Sequence, residues 1–154
     1  GSIVIVGEGV DNNYYLVDGV AAQFKEIDWW VEQARKLTNI YGNIPFYADS
    51  ARPEHVARFD NEGFDISNAN KSVVAGIELI AKLLKEQRLY VKRDFVPRFF
   101  DEIFQYRGKE DSTKDEPLKE FDDVLDSVRY ALYSDYVVNS TERASYDDLI
   151  DMFS

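Results

Sequence analysis

The sequence has no cysteine among its 154 residues and a single histidine, His55. Without cysteine the chain forms no disulfides, thiolate metal sites or thiol nucleophiles. Its longest apolar runs, SIVIVG and SVVAGIELIAKLL, are far shorter than the roughly 20 residues that cross a bilayer. Gly1 opens directly into a strand-like run with no basic region before it, unlike a signal peptide. These absences predict an intracellular chain that does not enter a membrane, and Gly1 and Ser2 are expected to be a cloning remnant or the middle of a longer chain.

Positive charge is also scarce, since 18 Lys and Arg face 29 Asp and Glu for a formal net charge of -11. Such a surface repels phosphate backbones and anionic membranes, which argues against a general nucleic-acid coat protein. The acidic composition does not exclude a nuclease, because metal ions bound by carboxylates reverse the local charge. The hydrophobic fraction of 45% is enough for one core, so we predict a single domain over residues 1–154 with a C-terminal tail at 135–154.

Hydrophobic periodicity predicts alternating strands and helices, the pattern of an α/β domain. Residues 3–6 and 14–23 read as a hairpin joined by a Gly, Asp and Asn turn. Further strands are expected within 43–50 and 88–94, and helices within 27–42, 53–63, 72–87, 95–106 and from 121. Residues 64–72 and the highly charged segment 107–117 are predicted to be loops.

Three aspartates stand at the start of the last helix, in FDDVLDSVRYAL. Asp122 and Asp126 lie nearly opposite the apolar stripe on a helical wheel, and Asp123 lies about 60° from Asp126. One interpretation is a solvated acidic face that complements the helix dipole, with Asp122 or Asp123 near the cap. The stripe itself consists of Phe121, Val124, Leu125, Val128, Ala131 and Leu132.

Asp49 is a second notable carboxylate, at the end of the predicted strand NIPFYADS. Ligands bind just outside the carboxyl ends of strands in open α/β sheets, although an aspartate here also suits a cap on the turn before Pro53. A strand-end carboxylate combined with one on a late helix could hold hard divalent cations. Two such ions support phosphodiester hydrolysis.

Three segments in order, FYADSARPEHVARF, SNANKSVVAGIELIAKLL and EPLKEFDDVLDSVRYAL, resemble the C-terminal nuclease domain of phage terminase large subunits. The resemblance covers most of residues 3–134. It implies a ribonuclease H-like mixed sheet flanked by helices and the cutting of concatemeric double-stranded DNA with Mg²⁺ or Mn²⁺, as two ions. It also implies that the protein acts in the cytoplasm of an infected or lysogenic bacterial host. The implied partners are a terminase ATPase domain in the full-length chain, the small terminase subunit and the portal. Nothing in this chain looks like a phosphate-binding loop, so only the nuclease half is expected.

Within this resemblance, Asp49 matches the family's second acid and Asp126 the acid of its last helix. Asp123 stands where close relatives often carry a histidine, so it is a candidate ligand, an outer group or a solvated acid. All three are candidate metal-binding and catalytic residues. The family's first acid lies on a strand upstream of Gly1, so this chain is expected to lack part of the first strand and one ligand, and to cleave weakly or not at all.

Basic residues near these segments are candidates for contacts with DNA phosphates. They are Arg52, next to Asp49, Lys71, after the SNAN loop, and Lys109, in the charged segment that resembles the family's hairpin near the cleft. Two other hypotheses remain open. One is a ribonuclease H-like resolvase or transposase-type domain, and the other is a catalytically inactive acidic domain that docks a partner through a segment such as SYDDLIDMF.

Overall fold

The structure, a computed structural model, describes the backbone of residues 1–108 and 123–153, and the side chains of residues 1–103 and 123–139. Asp122 and Lys109, both singled out from the sequence, lie outside the described residues. The elements in chain order are β1 (Ser2–Glu8), β2 (Tyr14–Ala21), α1 (Ile27–Tyr41), β3 (Phe46–Ala48), α2 (Pro53–Asn61), β4 (Ile66–Asn68), α3 (Val73–Lys85), β5 (Leu89–Val91), α4 (Pro97–Gly108) and α5 (Asp123–Phe153).

The described strands form two sheets. The first has the order β1-β2-β5, with β1 antiparallel to β2 and β5 parallel to β2, and the second is the parallel pair β3-β4. The predicted hairpin is confirmed, and Asp11 closes its turn by accepting a hydrogen bond from the N–H of Asn13 at 3.0 Å. The predicted mixed α/β architecture is likewise confirmed, with its strands divided between two sheets.

Helix α5 connects the two sheets, because it packs on both β1 and β3. Its predicted apolar stripe is confirmed over the buried residues of its first turns: Val124, Val128 and Leu132 are completely buried, and Leu125 is nearly so. The stripe joins a core built with α3, α4 and the three-stranded sheet, which includes Leu16, Leu79, Leu83, Phe95 and Phe99. The face of α5 that carries Asp126 is thereby fixed relative to both sheets.

A smaller core lies under the second sheet. Val31 and Ala34 of α1 pack there with Phe59 and Phe64, against Phe46 of β3. The rings of Phe46 and Phe64 meet edge to face, with centroids 5.5 Å apart. This aromatic cluster fixes β3, and therefore the start of the segment that carries Asp49.

One sequence expectation needs revision. Residues 66–68, predicted as loop, form β4, which pairs with β3 through Phe46 opposite Ile66. Only Ile66 of these three residues is apolar, so the strand is stabilised by its partner and leaves little periodic signal. Helix α5 continues to Phe153 and so includes most of the segment 135–154, whose description as a tail of a single domain stays a prediction. In the described ranges, no helix combines the length and apolar character needed to span a bilayer.

Candidate functional site

A cleft of about 640 Å³ lies between the two sheets. Every residue of β1 and of β3 lines it, and one face of α5 contributes a further wall. Asp49, Asp126 and Asp123, the three acids selected from the sequence, all line this same cleft. The tertiary structure therefore brings an acid from the end of β3 together with two acids from a helix at the far end of the described chain.

Asp49 directly follows β3, as the sequence predicted. Its Oδ1 accepts the N–H of Ala51 at 3.0 Å and contacts Nζ of Lys71 at 3.0 Å. Burial raises the pKa of Asp49, but the Ala51 N–H and the Lys71 ammonium outweigh it and lower the pKa below its usual value. The carboxylate is thus ionised at neutral pH. It caps its turn and also faces the cleft, so the two interpretations made from the sequence are compatible.

Asp126 lies in the first turn of α5, where Arg129 holds it. Nη2 of Arg129 is 3.3 Å from Oδ1 of Asp126, an acid three positions earlier on the same helix. The arginine side chain is only 9% exposed, and its Nε is buried with no hydrogen-bond partner in the described part of the chain. A buried guanidinium of this kind restricts the rotamers of Asp126.

Gly76 of α3 makes room for this arginine. A Cβ added to Gly76 would lie 2.6 Å from Cγ and 2.8 Å from Cδ of Arg129, much closer than side chains approach one another. We expect Gly76→Ala to lower the free energy of unfolding by about 1 to 3 kcal/mol, as overpacking does, and to displace Arg129 from Asp126. Urea denaturation measures the loss. The matched control is Gly7→Ala, whose added methyl meets only ordinary contacts; an equal loss in both variants would contradict the argument.

Asp123 begins α5 at the rim of the cleft. Its Oδ2 lies 3.9 Å from Nη2 of Arg98, so a cationic side chain already faces it. Its backbone carbonyl accepts hydrogen bonds from Ser2 and Ser127. The structure therefore places Asp123 near Asp126 with Arg98 as a cationic partner of its own.

The candidate DNA-contacting residues differ in position. Lys71 contacts Asp49 directly, whereas Arg52 is an exposed residue at the N-terminal cap of α2. Lys109 falls outside the described residues.

Tyr130 is a half-buried residue that lines the cleft, and sequence reasoning assigned it no part in the site. Burial, followed by the charges of Asp126 and Asp49, raises the pKa of Tyr130, so its phenol is protonated at neutral pH. Asp49, Asp126 and Tyr130 all line this one cleft. The i, i+4 spacing of Tyr130 from Asp126 is the only signal of this in the sequence.

Glu102 of α4 was also missed. Its side chain is 1% exposed, and its two oxygens accept the N–H groups of Val124 at 3.4 Å and Leu125 at 2.8 Å. Nε of Arg98 lies 3.1 Å from the same carboxylate. Burial raises the pKa of Glu102, and the two backbone N–H groups oppose it. A carboxylate from a neighbouring helix thus caps the first turn of α5, which carries Asp126.

A cation could be held by Asp49 and Asp126, which offer the oxygen donors that Mg²⁺ and Mn²⁺ prefer. In residues 1–103 and 123–139, no group of three or more His, Cys, Asp or Glu side chains is arranged as a metal site.

The hairpin sheet, the parallel strand pair with an acid at its end and the acidic helix that crosses both define a ribonuclease H-like domain. Within that class, the chain belongs to the family of terminase ribonuclease H-like domains, which matches residues 1–135. No curated protein matches the sequence.

Two solved structures have a similar fold. One is the large terminase of a thermophilic bacteriophage in complex with ATP-gamma-S, with a TM-score of 0.67 and 19% identity over 86% of this chain. This chain covers 36% of that protein's length. The other is the large terminase nuclease domain of bacteriophage SPP1 with bound Mn, with a TM-score of 0.63 and 20% identity. Here the match covers 87% of this chain and 78% of the other.

Proposed function

We propose that this chain is the metal-dependent endonuclease domain of a viral DNA-packaging large terminase. It would cut concatemeric double-stranded DNA in the cytoplasm of the bacterial host. One observation carries the proposal: Asp49 at a strand end and Asp126 on α5 line a single cleft in a chain of the terminase family. The terminase ATPase domain, the small subunit and the portal are its proposed partners.

The donor chemistry of the cleft fits the proposed metal. Both acids supply hard oxygen ligands, and the ammonium of Lys71 stands 3.0 Å from Asp49 as a cation in the same place. Bound Mg²⁺ or Mn²⁺, as a pair of ions in the complete site, would activate water and stabilise the leaving oxygen during phosphodiester hydrolysis. No side chain of this protein is required as a nucleophile.

The protein's own residues would orient this site and bind the substrate. Arg129 fixes the rotamer of Asp126, and Glu102 fixes the helix turn that carries it. Lys71 and Arg52 are proposed to contact the phosphate backbone beside Asp49, and Lys109 is proposed to extend this contact. Such contacts position the duplex and are independent of its sequence.

We propose further that the complete site includes another strand between the two sheets. β1 pairs only with β2 and β3 only with β4 among the described strands, and both β1 and β3 line the cleft. Unpaired strand edges are templates for a further strand. The resemblance to terminase nuclease domains implies such a strand before β1, carrying the first acid of the family's site. This acid would give the cleft a third carboxylate.

A nicking assay on supercoiled plasmid tests both proposals. We expect a chain extended by about 30 residues at its N-terminus to nick the plasmid with Mn²⁺ and to be inactive with EDTA. The 154-residue chain is expected to nick at least about 100-fold more slowly, because a lost first-sphere ligand costs more than the 10- to 100-fold typical of outer-sphere partners. Robust nicking by the short chain would contradict the missing-ligand proposal. An inactive extended chain would instead favour the acidic interaction domain.

A further inference from the structure

Lys71 and Asp49 form an ion pair at the position proposed for metal binding. Nζ lies 3.0 Å from Oδ1, and the two side chains are 42% and 50% exposed. An ion pair this accessible to water contributes little net stability and separates readily. The ammonium is therefore poised to leave Asp49 when a stronger cation arrives.

The backbone around Lys71 is nevertheless held firmly. The N–H of Ala69 donates to the carbonyl of Ala48 at 2.8 Å, and the N–H of Asn70 donates to Oγ of Ser134 at 2.8 Å. Ser134 is buried, and its helix, α5, is the one that carries Asp126. The loop is thus anchored to the two elements that supply the acids, which keeps the lysine within reach of the cleft while its side chain stays accessible to solvent.

From this arrangement we infer that Lys71 is an internal competitor of the divalent metal: its ammonium occupies the Asp49 carboxylate until Mg²⁺ or Mn²⁺ displaces it. The inference rests on the proposed function of the cleft. An ammonium and a metal ion on the same carboxylate repel each other, so each weakens the binding of the other by the same factor. Lys71 therefore sets the metal concentration at which the site fills, and its displacement frees an ammonium for a phosphate.

A Mn²⁺ titration monitored by electron paramagnetic resonance tests the competition between Lys71 and the metal. The signal of free Mn²⁺ decreases as the ion binds, so binding is measured without any cleavage. Lys71→Met is expected to raise the Mn²⁺ affinity of the cleft about 3- to 10-fold. The substitution removes the surface ion pair with Asp49 and the repulsion between the ammonium and the metal ion. Lys71→Arg keeps the charge and is expected to stay within about twofold of the wild type.

Lys36→Met is the matched control for net charge. Lys36 forms a comparable exposed pair with Glu32, 3.4 Å apart on α1, and does not line the cleft. It is expected to change the Mn²⁺ affinity by less than about twofold. The gain from Lys71→Met must also disappear in an Asp49→Asn background, because competition requires the shared carboxylate.

The outcomes separate the two proposals. Equal Mn²⁺ affinity in the wild type and Lys71→Met, with binding that Asp49→Asn removes, would overturn the competition and leave the metal site standing. A gain that survives Asp49→Asn would also overturn it. If neither Asp49→Asn nor Asp126→Asn lowers Mn²⁺ binding in any background, the proposed function fails, and the competition fails with it.

Discussion

Asp126→Asn is expected to weaken Mn²⁺ binding to the cleft by at least about 100-fold and to abolish metal-dependent nicking by the extended chain. The amide is nearly isosteric with the carboxylate but is neutral, so the cleft would lose one of its two proposed anionic ligands. Loss of an outer-sphere partner alone typically costs 10- to 100-fold in metal affinity, which sets the lower bound for a direct ligand. Isothermal titration calorimetry measures the affinity, and plasmid nicking measures the activity.

Three comparisons make this result specific. Asp49→Asn is expected to have an effect of the same size, because Asp49 faces the same cleft. Asp123→Asn is expected to cost less than about 10-fold, since its carboxylate already faces the guanidinium of Arg98. Asp101→Asn removes the same charge from an exposed position on α4 and should leave binding unchanged. If Asp101→Asn and Asp126→Asn weaken binding equally, the effect is one of net charge.

Glu102→Ala is expected to lower the free energy of unfolding by about 2 to 4 kcal/mol. The substitution leaves the N–H groups of Val124 and Leu125 without their acceptor in a buried environment and removes one acidic partner of Arg98. The first turn of α5 should then fray. Urea denaturation followed by circular dichroism measures the loss, and we also expect Mn²⁺ affinity to fall, because Asp126 follows directly on the capped residues.

Glu102→Gln separates the hydrogen bonds from the charge. It keeps one oxygen acceptor for the backbone, so we expect about half the loss of Glu102→Ala. Glu86→Ala serves as the surface control, because Glu86 is 41% exposed and pairs with Arg88 in solvent. Its loss should stay below about 0.5 kcal/mol. Similar losses for Glu86→Ala and Glu102→Ala would show that the buried cap does not stabilise α5.

Local patterns in the sequence were sufficient for much of the fold. The apolar positions of α5 repeat at helical spacing, and Val124, Val128 and Leu132 are buried as the helical wheel predicted. A short apolar run followed by Asp49 was read correctly as a strand with an acid at its end. These features depend on neighbours within a few residues along the chain, which is why periodicity reveals them.

Contacts between distant segments left no comparable signal. β4 has one apolar residue and is a strand because β3 supplies its hydrogen bonds. Glu102 looks like any charged residue on an amphipathic helix, yet it caps a helix that begins only at Asp123. Lys71 lies 22 positions from Asp49 and reaches it only because a loop is tied to β3 and α5.

The sequence by itself determined the order of most elements, the apolar face of α5 and the family-like segments that singled out Asp49 and Asp126. The tertiary structure alone decided that these two acids share one cleft, that Arg129, Tyr130 and Lys71 lie around them, and that Asp123 faces Arg98. The physical reason is the separation along the chain between the residues that interact. Helix and strand periodicity reflects burial along one segment, whereas a site is a set of charges brought together by packing between segments.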